Sequence, residues 1–215
     1  MRITHLLVMG ALVGACSSKV DDKPKAEVKD VKDAKDTKDT KDTKGATGAK
    51  AVAGGPVLDK ASSSIGFVGA KVTDDHDGTF ADFTAALELD GDAPKALNID
   101  VKTDSVQIEP GKLSDHLKSP DFFDTAKYPD ASFASSSITA KADGAATHAI
   151  EGTLDLRGVK KTVTFPATLT IDAKSAKGHA EFTINRKDFG IVYAGMADDL
   201  IKDDVLMKID LAFTR

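Results

Sequence analysis

The sequence predicts an all-β domain of about eight antiparallel strands, closed as a barrel or stacked as a sandwich. From Pro56 onward apolar and polar residues alternate, which is the period of a strand with one buried face. Turn signals such as Asp77-Gly78 and Asp143-Gly144 separate the alternating runs. All ten Phe lie between Phe67 and Phe213, so the side chains that can form a core are confined to this one region.

The strands follow one another at short intervals, as antiparallel strands joined by tight turns do. Pro166 interrupts one run, and we expect an edge, a bulge or a bend there because proline cannot donate to a ladder. The alternating runs cover residues 65–67, 81–89, 97–101, 133–138, 150–156, 163–171, 182–184 and 205–213.

One segment between the third and fourth strands departs from alternation. Lys112–Lys118 carries Leu113 and Leu117 at i and i+4, which predicts a short helix. Ser119 and Pro120 follow as the cap and first residue of a helical turn. A short helix beside a closed sheet is expected to cover one mouth of the barrel.

Residues 1–15 are typical of an export signal, with an apolar run too short for a bilayer, which needs about 20 residues. Val13-Gly14-Ala15-Cys16 resembles the bacterial lipobox, in which the Cys becomes the acylated first residue; the alternative is an ordinary signal peptide. Ser17 follows Cys16, and by similarity to other lipoproteins this favours the outer membrane. We expect a lipid-anchored envelope protein that faces the periplasm, held on the membrane through Cys16.

Residues 16–55 are expected to be a disordered linker behind the lipidated Cys. A Lys-Asp-X triplet recurs from Lys29 to Thr43, and almost none of these residues can be buried to offset the cost of ordering. A flexible coil of this length spans about 35 Å, which would hold the domain clear of the membrane. The folded domain is assigned to residues 56–215.

Charge and motifs exclude several classes of function. Residues 51–215 carry a net charge of −8, which argues against a nucleic-acid partner because phosphates need a basic face. The single Cys makes an intramolecular disulfide impossible. His148 and His179 have no partner in the sequence, and Asp74, Asp75 and Asp77 lack the spacing of a calcium loop, so no metal is expected. No nucleophile elbow or phosphate loop occurs, so the sequence predicts neither an enzyme nor a cofactor.

Three stretches resemble the YceI-like family, the lipocalin-like polyisoprenoid-binding proteins. They are residues 116–124 (HLKSPDFFD), 152–161 (GTLDLRGVKK) and 182–191 (FTINRKDFGI), and their order and spacing match over residues 56–215. The resemblance implies an extended eight-stranded antiparallel lipocalin-like barrel, with the short helix between strands 3 and 4. It also implies an apolar interior that binds an isoprenoid lipid, such as a polyprenyl quinone, without catalysis.

The apolar residues on the strands and the helix are the candidates for contact with such a lipid. Ten buried carbons contribute about 8 kcal/mol at about 0.8 kcal/mol per CH₂, which is enough for micromolar affinity. The alternative is a plain core, which would make the protein an envelope structural or interaction module with a filled barrel and no ligand. The candidates are Phe67, Phe83, Leu87, Ile99, Val101, Leu117, Phe122, Phe123, Phe133, Leu154, Phe182, Ile184, Phe189, Met207 and Ile209.

Two polar positions have two interpretations each. Asn185 and Asp188 are expected to shape a turn, with Arg186 either in an ion pair or in contact with a ligand head group. His116 is expected either to order the helix or to contact a ligand at the mouth.

Overall fold

The computed structural model describes residues 18–31, 55–71, 73–196 and 199–215. The expected signal peptide, Cys16 and most of the Lys-Asp repeat lie outside the described residues. No helix in the described part of the chain is long and apolar enough to cross a membrane.

The described chain is almost entirely β-structure with one α-helix, α1 (Lys112–Lys118), and three 3-10 turns at Lys60–Ser62, Thr103–Ser105 and Arg186–Phe189. The strands are β1 (Glu27–Asp30), β2 (Val57–Leu58), β3 (Ser64–Ala70), β4 (Asp75–Phe80), β5 (Phe83–Asp90), β6 (Ala93–Lys102), β7 (Val106–Ile108), β8 (Asp130–Asp143), β9 (Ala146–Leu156), β10 (Val159–Ile171), β11 (Ser175–Asn185), β12 (Gly195–Met196), β13 (Asp199–Leu200) and β14 (Asp204–Thr214).

The main sheet is antiparallel and closes into a barrel. Its order is β5-β6-β8-β9-β10-β11-β14-β3-β4-β7. The strands at the two ends of this order, β5 and β7, are continuations of β4 and β6, which lie at the opposite end of the sheet. β4 continues into β5, and β6 into β7, with Ala81 N donating to Ser105 O at 3.2 Å and Lys102 N to Asp82 O at 2.9 Å across the bend. Counting each bent segment once gives eight long strands, so the predicted barrel is confirmed, and the bends explain the additional short strands.

Two strand glycines allow phenylalanine rings to lie flat across the inside of the barrel. A Cβ at Gly152 would lie 2.5 Å from the Cζ of Phe133, and a Cβ at Gly78 would overlap the ring of Phe67. Since real Cβ atoms do not approach so closely, only glycine lets each ring pass over the neighbouring strand. The rings are thereby fixed at the positions from which they face the interior.

The two ends of the barrel differ. Helix α1 and the start of β14 share one end, where Arg157 in the β9–β10 turn donates to Pro120 O and to Gly190 O, both at 2.7 Å. We call this end the mouth. At the opposite end the side chains of Ala176 and Phe213 are buried and close the interior.

Residues 18–31, which we call the strap, lie along the outside of the barrel and form part of its wall. β1 pairs with β10 from Thr164 to Lys161, and Lys25 bridges to Thr183 of β11. Thr183 is only 3% exposed, since the strap covers it. The expectation of a disordered linker is therefore wrong for residues 18–31.

The reason is that the strap offers small apolar side chains and its charges meet partners on the barrel. Val20 and Ala26 are 3% and 5% exposed. Lys25 Nζ lies 2.8 Å from Asp204, and Asp30 lies 2.5 Å from Lys161 Nζ. The ordering cost of the segment is offset by contacts with residues far along the chain.

Pro166 lies where β10 changes its partner on one side. The strap pairs with residues 161–164 of β10, and β11 pairs with residues 168–171. Pro166 falls between these two ladders and pairs only with Ala149 of β9. The expected local edge is confirmed, because the missing N–H is not needed there.

Candidate functional site

An apolar cavity occupies the interior of the barrel and opens at the mouth. The cavity volume is about 180 Å³, and the surface that faces it is apolar. Strands from most of the sheet contribute inward side chains, and α1 with the turn after it contributes a lid. The cavity therefore runs along the barrel axis rather than between the barrel and another element.

Aromatic rings order the walls. Phe67 and Phe80 lie 5.6 Å apart between ring centroids, and Phe123, from the turn after α1, meets Phe80 edge-on at 5.6 Å. On the other side Phe165 of β10 and Phe182 of β11 stack in parallel at 4.2 Å. Such ring pairs contribute about 0.5–1.5 kcal/mol each beyond their burial, so they stabilise the walls of the cavity.

Most of the predicted residues lie on the cavity. They share the inward parity of their strands or belong to the lid. These residues are Phe67, Ile99, Val101, Leu117, Phe122, Phe123, Phe133, Leu154, Phe182, Ile184, Met207 and Ile209.

Three predicted residues are buried elsewhere. Phe83 follows the bend between β4 and β5 and packs in the core beneath Lys60, whose Nζ is 5.1 Å from the ring centroid, while Phe80 before the bend faces the cavity. Leu87 pairs with Leu97 toward the closed end, and Phe189 is fully enclosed in the 3-10 turn that follows β11. These three contribute to the core and not to the lining.

The lining also contains residues that the sequence reading missed. Strand parity could have identified several, because Phe165 alternates with Val163 and Val205 with Met207. Ile191 and Ile201 come from segments without a period, so strand alternation does not mark them. The additional lining residues are Ile65, Gly69, Phe80, Ala131, Ser132, Leu156, Val163, Phe165, Ile191, Ile201 and Val205.

Arg186 is the one charged side chain on the lining within the residues that the structure describes. It is 4% exposed, and its guanidinium donates to Ile191 O at 2.8 Å, Lys202 O at 3.0 Å and Asp203 Oδ1 at 3.2 Å. Burial lowers the pKa of Arg186 from its ordinary value, although Asp203 opposes this effect. The side chain is committed to holding two loop segments at the mouth, as the ion-pair interpretation predicted.

Asn185 shapes the turn around Arg186, as predicted. Asn185 Oδ1 accepts a hydrogen bond from Lys187 N at 2.9 Å. Lys187 Nζ lies 2.8 Å from Asp203, and this hydrogen bond is the main reason that the pKa of Asp203 is lowered. The polar residues of this motif therefore build the rim of the mouth.

The mouth itself carries a cluster of three rings. His116 of α1 lies 5.0 Å from both Phe122 and Tyr193, and Phe122 lies 5.4 Å from Tyr193. His116 Nε2 is 3.0 Å from Asp121 Oδ2, which ties the helix to the turn after it. His116 thus orders the helix, as the first interpretation predicted, and it also lines the mouth, while its contact with a ligand stays a prediction. A long apolar guest could enter past this cluster.

The comparisons with known proteins agree with this architecture. A family model described as a YceI-like domain matches residues 57–213. A UPF0312 protein of Pseudomonas putida is 36% identical over 139 residues, which cover 61% of this chain and 71% of that protein. The crystal structure of the Campylobacter jejuni YceI protein is 27% identical and covers 64% of this chain and 84% of that one, with a TM-score of 0.57.

Two further solved structures share the fold. BcnA of Burkholderia cenocepacia is 24% identical, covers 72% of this chain and 98% of that one, and has a TM-score of 0.63. A polyisoprenoid binding domain from Saccharophagus degradans is 17% identical, covers 74% of this chain and 97% of that one, and has a TM-score of 0.59. Since the family model spans most of the chain, as the three motifs predicted, this protein belongs to the family of YceI-like domain proteins.

Proposed function

We propose that the protein binds a polyisoprenoid lipid in its cavity, as a prenyl quinone or a polyprenyl lipid, and carries out no reaction on it. The observation that carries this proposal is the cavity of about 180 Å³ with an apolar lining that opens at the mouth. The Saccharophagus domain with the same fold is described as polyisoprenoid binding, which supports this class of ligand.

The energetics of such a site need no specific polar contact. Each buried CH₂ contributes about 0.8 kcal/mol, so a chain of ten carbons reaches micromolar affinity before the cost of ordering it. The single charged lining residue, Arg186, is already engaged by backbone carbonyls and Asp203. Recognition therefore rests on the length and shape of the chain rather than on a head group.

The same proposal places the protein in the bacterial cell envelope, facing the periplasm and anchored through acylated Cys16, with the outer membrane favoured. Its support is the export signal and lipobox pattern in residues 1–16. An anchored lipid-binding protein exchanges its ligand with the membrane that holds it. No cofactor and no metal enter this function.

The alternative function is an envelope structural or interaction module with a filled barrel. The open cavity disfavours it, because a filled barrel would bring side chains such as Phe133 and Met207 into contact across the axis. In that case substitutions on the lining would unfold the protein without a separable binding defect.

The test is to isolate the full-length protein from the membranes of an expressing bacterium, extract it with organic solvent and identify bound lipids by mass spectrometry. The emptied protein is then titrated with a prenyl quinone. We expect an isoprenoid in the extract and saturable binding in the titration. A protein that carries no lipid and binds no prenyl quinone contradicts the proposal.

A further inference from the structure

We propose that the mouth of the barrel lies directly on the lipid bilayer, because the strap fixes the chain that leads to Cys16 beside the opening. This inference rests on the proposed function for its lipid anchor. In this arrangement no long flexible spacer holds the barrel away from the membrane. The opening of the barrel instead lies against the bilayer that contains its ligand.

The first observation is that the start of the strap is clamped to the mouth. Ser18 Oγ and Lys19 N both donate to the carboxylate of Asp75, at 2.8 and 2.9 Å. Asp75 is the neighbour of His76, which lines the opening. Asp21 pairs with Lys202 Nζ at 2.8 Å, beside Ile201 of the cavity lining.

The second observation is that the rest of the strap keeps this end from swinging away. Val20 is 3% exposed and packs in a small cluster with Val68, Ala70 and Leu206. Lys23 pairs with Glu181, and Lys25 with Asp204 at 2.8 Å. Buried apolar contacts, ion pairs and the β1 ladder thus together hold the strap on the barrel.

The path of the strap shortens the distance between the lipidated Cys16 and the barrel. Cys16 precedes Ser18 by two residues, which span at most about 7 Å. Residues 32–54 connect Val31 to Gly55, and both ends of that stretch belong to segments that lie on the barrel. The long repeat therefore lies behind the strap in the chain and does not separate the acyl chains of Cys16 from the mouth.

The third observation is the apolar surface beside the opening. Val192 and Leu200 are 66% and 50% exposed, and each is next in sequence to a cavity residue, Ile191 and Ile201. They are two of four large apolar side chains that the described residues expose. Aliphatic side chains at the end that carries the anchor are suited to insertion at a membrane interface.

The charges of the rim do not require an anionic bilayer. Lys19 pairs with Asp77 at 2.6 Å, Lys187 with Asp203 at 2.8 Å, and Lys202 with Asp21. Because these three cations already have carboxylate partners, they attract acidic lipids or an acidic protein only weakly. Apolar insertion and the anchor then hold the mouth on the membrane, and an isoprenoid chain passes into the cavity without crossing water.

The chain contains no Trp, so a single introduced Trp reports its own surroundings. The variants are Val192→Trp and Leu200→Trp at the mouth, with Val57→Trp as the matched control. Val57 is 62% exposed and lies at the closed end, where it pairs with Thr214. Each lipoprotein is reconstituted into phosphatidylcholine vesicles with brominated acyl chains, which quench a nearby indole.

We expect about twofold or stronger quenching and a blue-shifted emission at residues 192 and 200, since interfacial side chains reach roughly 5–10 Å into the membrane. The indole at residue 57 should remain unquenched. A Gly-Ser spacer of about 12 residues inserted between Ser17 and Ser18, which spans roughly 20 Å, should weaken the quenching at the mouth.

Equal quenching at all three positions, no quenching at the mouth, or no effect of the spacer overturns the inference. So does a purified chain whose mass shows an unmodified Cys16. Shielding of the indole in the Val192→Trp variant only after a soluble envelope protein is added also overturns it, in favour of a protein interface. Bound isoprenoid is measured in the same samples. If isoprenoid is bound while the indoles are not quenched, only the docking on the membrane is wrong. If the unaltered protein carries no isoprenoid, the proposed function fails.

Discussion

Phe165 of β10 and Phe182 of β11 stack with ring centroids 4.2 Å apart and 12° between their planes. They lie in the part of the wall where the strap runs between these two strands. Both rings also face the cavity. The stack therefore joins two strands whose own ladder extends only over residues 168–171 of β10.

Phe182→Ala is expected to destabilise the protein by about 3–5 kcal/mol, because a buried aromatic side chain is replaced by a larger cavity. Urea unfolding followed by circular dichroism measures this change. Combining it with Phe165→Ala in a double-mutant cycle should give a coupling of about 0.5–1.5 kcal/mol. Strictly additive effects would show that the two rings do not stabilise each other.

Filling the cavity should weaken ligand binding without unfolding the barrel. Met207→Trp places a larger side chain in the lining, and we expect the affinity for a prenyl quinone to fall by at least about tenfold, which corresponds to about 1.4 kcal/mol. The matched control is Ile138→Trp, a half-buried strand position that packs on the core but does not line the cavity. Calorimetric titration and thermal unfolding of both variants separate binding from stability. Equal loss of binding in the control would contradict a site in the cavity.

A glycine opposite a lining ring should be intolerant of even one methyl group. Gly78→Ala is expected to cost about 1–3 kcal/mol, since its Cβ overlaps the ring of Phe67 and pushes it into the cavity. Gly69→Ala, on the neighbouring strand, is the control because its Cβ would meet nothing within 4 Å. Chemical denaturation of both variants tests the difference, and similar midpoints would show that the ring moves freely.

The barrel and most of its lining could be predicted from the sequence because strand alternation is a local property. Phe133, Phe182 and Met207 face the cavity as their parity requires. Phe83 pairs with the lining residue Val101 and faces the same side of the sheet, but it packs in the core beneath Lys60 instead of on the cavity. Which inward residues reach the cavity depends on the closure of the whole sheet. Ile191 was missed because a loop has no period.

The strap could not be predicted because the partners that order it lie far away in the chain. Lys25 meets Asp204, and Lys19 meets Asp77, so composition alone suggested a solvated charge run. The short apolar pattern of Val20, Ala26 and Val28 is visible in the sequence but weak beside so many charges. Only the three-dimensional arrangement shows which carboxylates these lysines face.

Ala26 tests whether the strap is a wall strand. It is 5% exposed in the main core, so Ala26→Asp should bury an unpaired charge and release the strap, with a loss of several kcal/mol or its local detachment. Glu27→Ala, at the next and exposed position, is the control. Trypsin should cleave after Lys25 and Lys29 much faster in Ala26→Asp than in the control. Equal cleavage rates would show that Ala26 does not hold the strap.

The attachment of the strap should weaken in acid. The hydrogen bond from Lys19 lowers the pKa of Asp77, and that from Lys23 lowers the pKa of Glu181, so both carboxylates bind protons less readily when the strap is docked. The stabilisation is therefore complete above the ordinary carboxyl values of about 4 and is lost as pH falls through the lower values of the docked state. Hydrogen exchange of the backbone amides of residues 20–30 should accelerate over this range, beyond the intrinsic pH dependence, while amides of β9 stay protected. In the Asp77→Asn, Glu181→Gln variant the strap should be weakly held at neutral pH and its exchange should lose most of this acid-induced change. An unchanged pH response in that variant would assign the effect to other carboxylates.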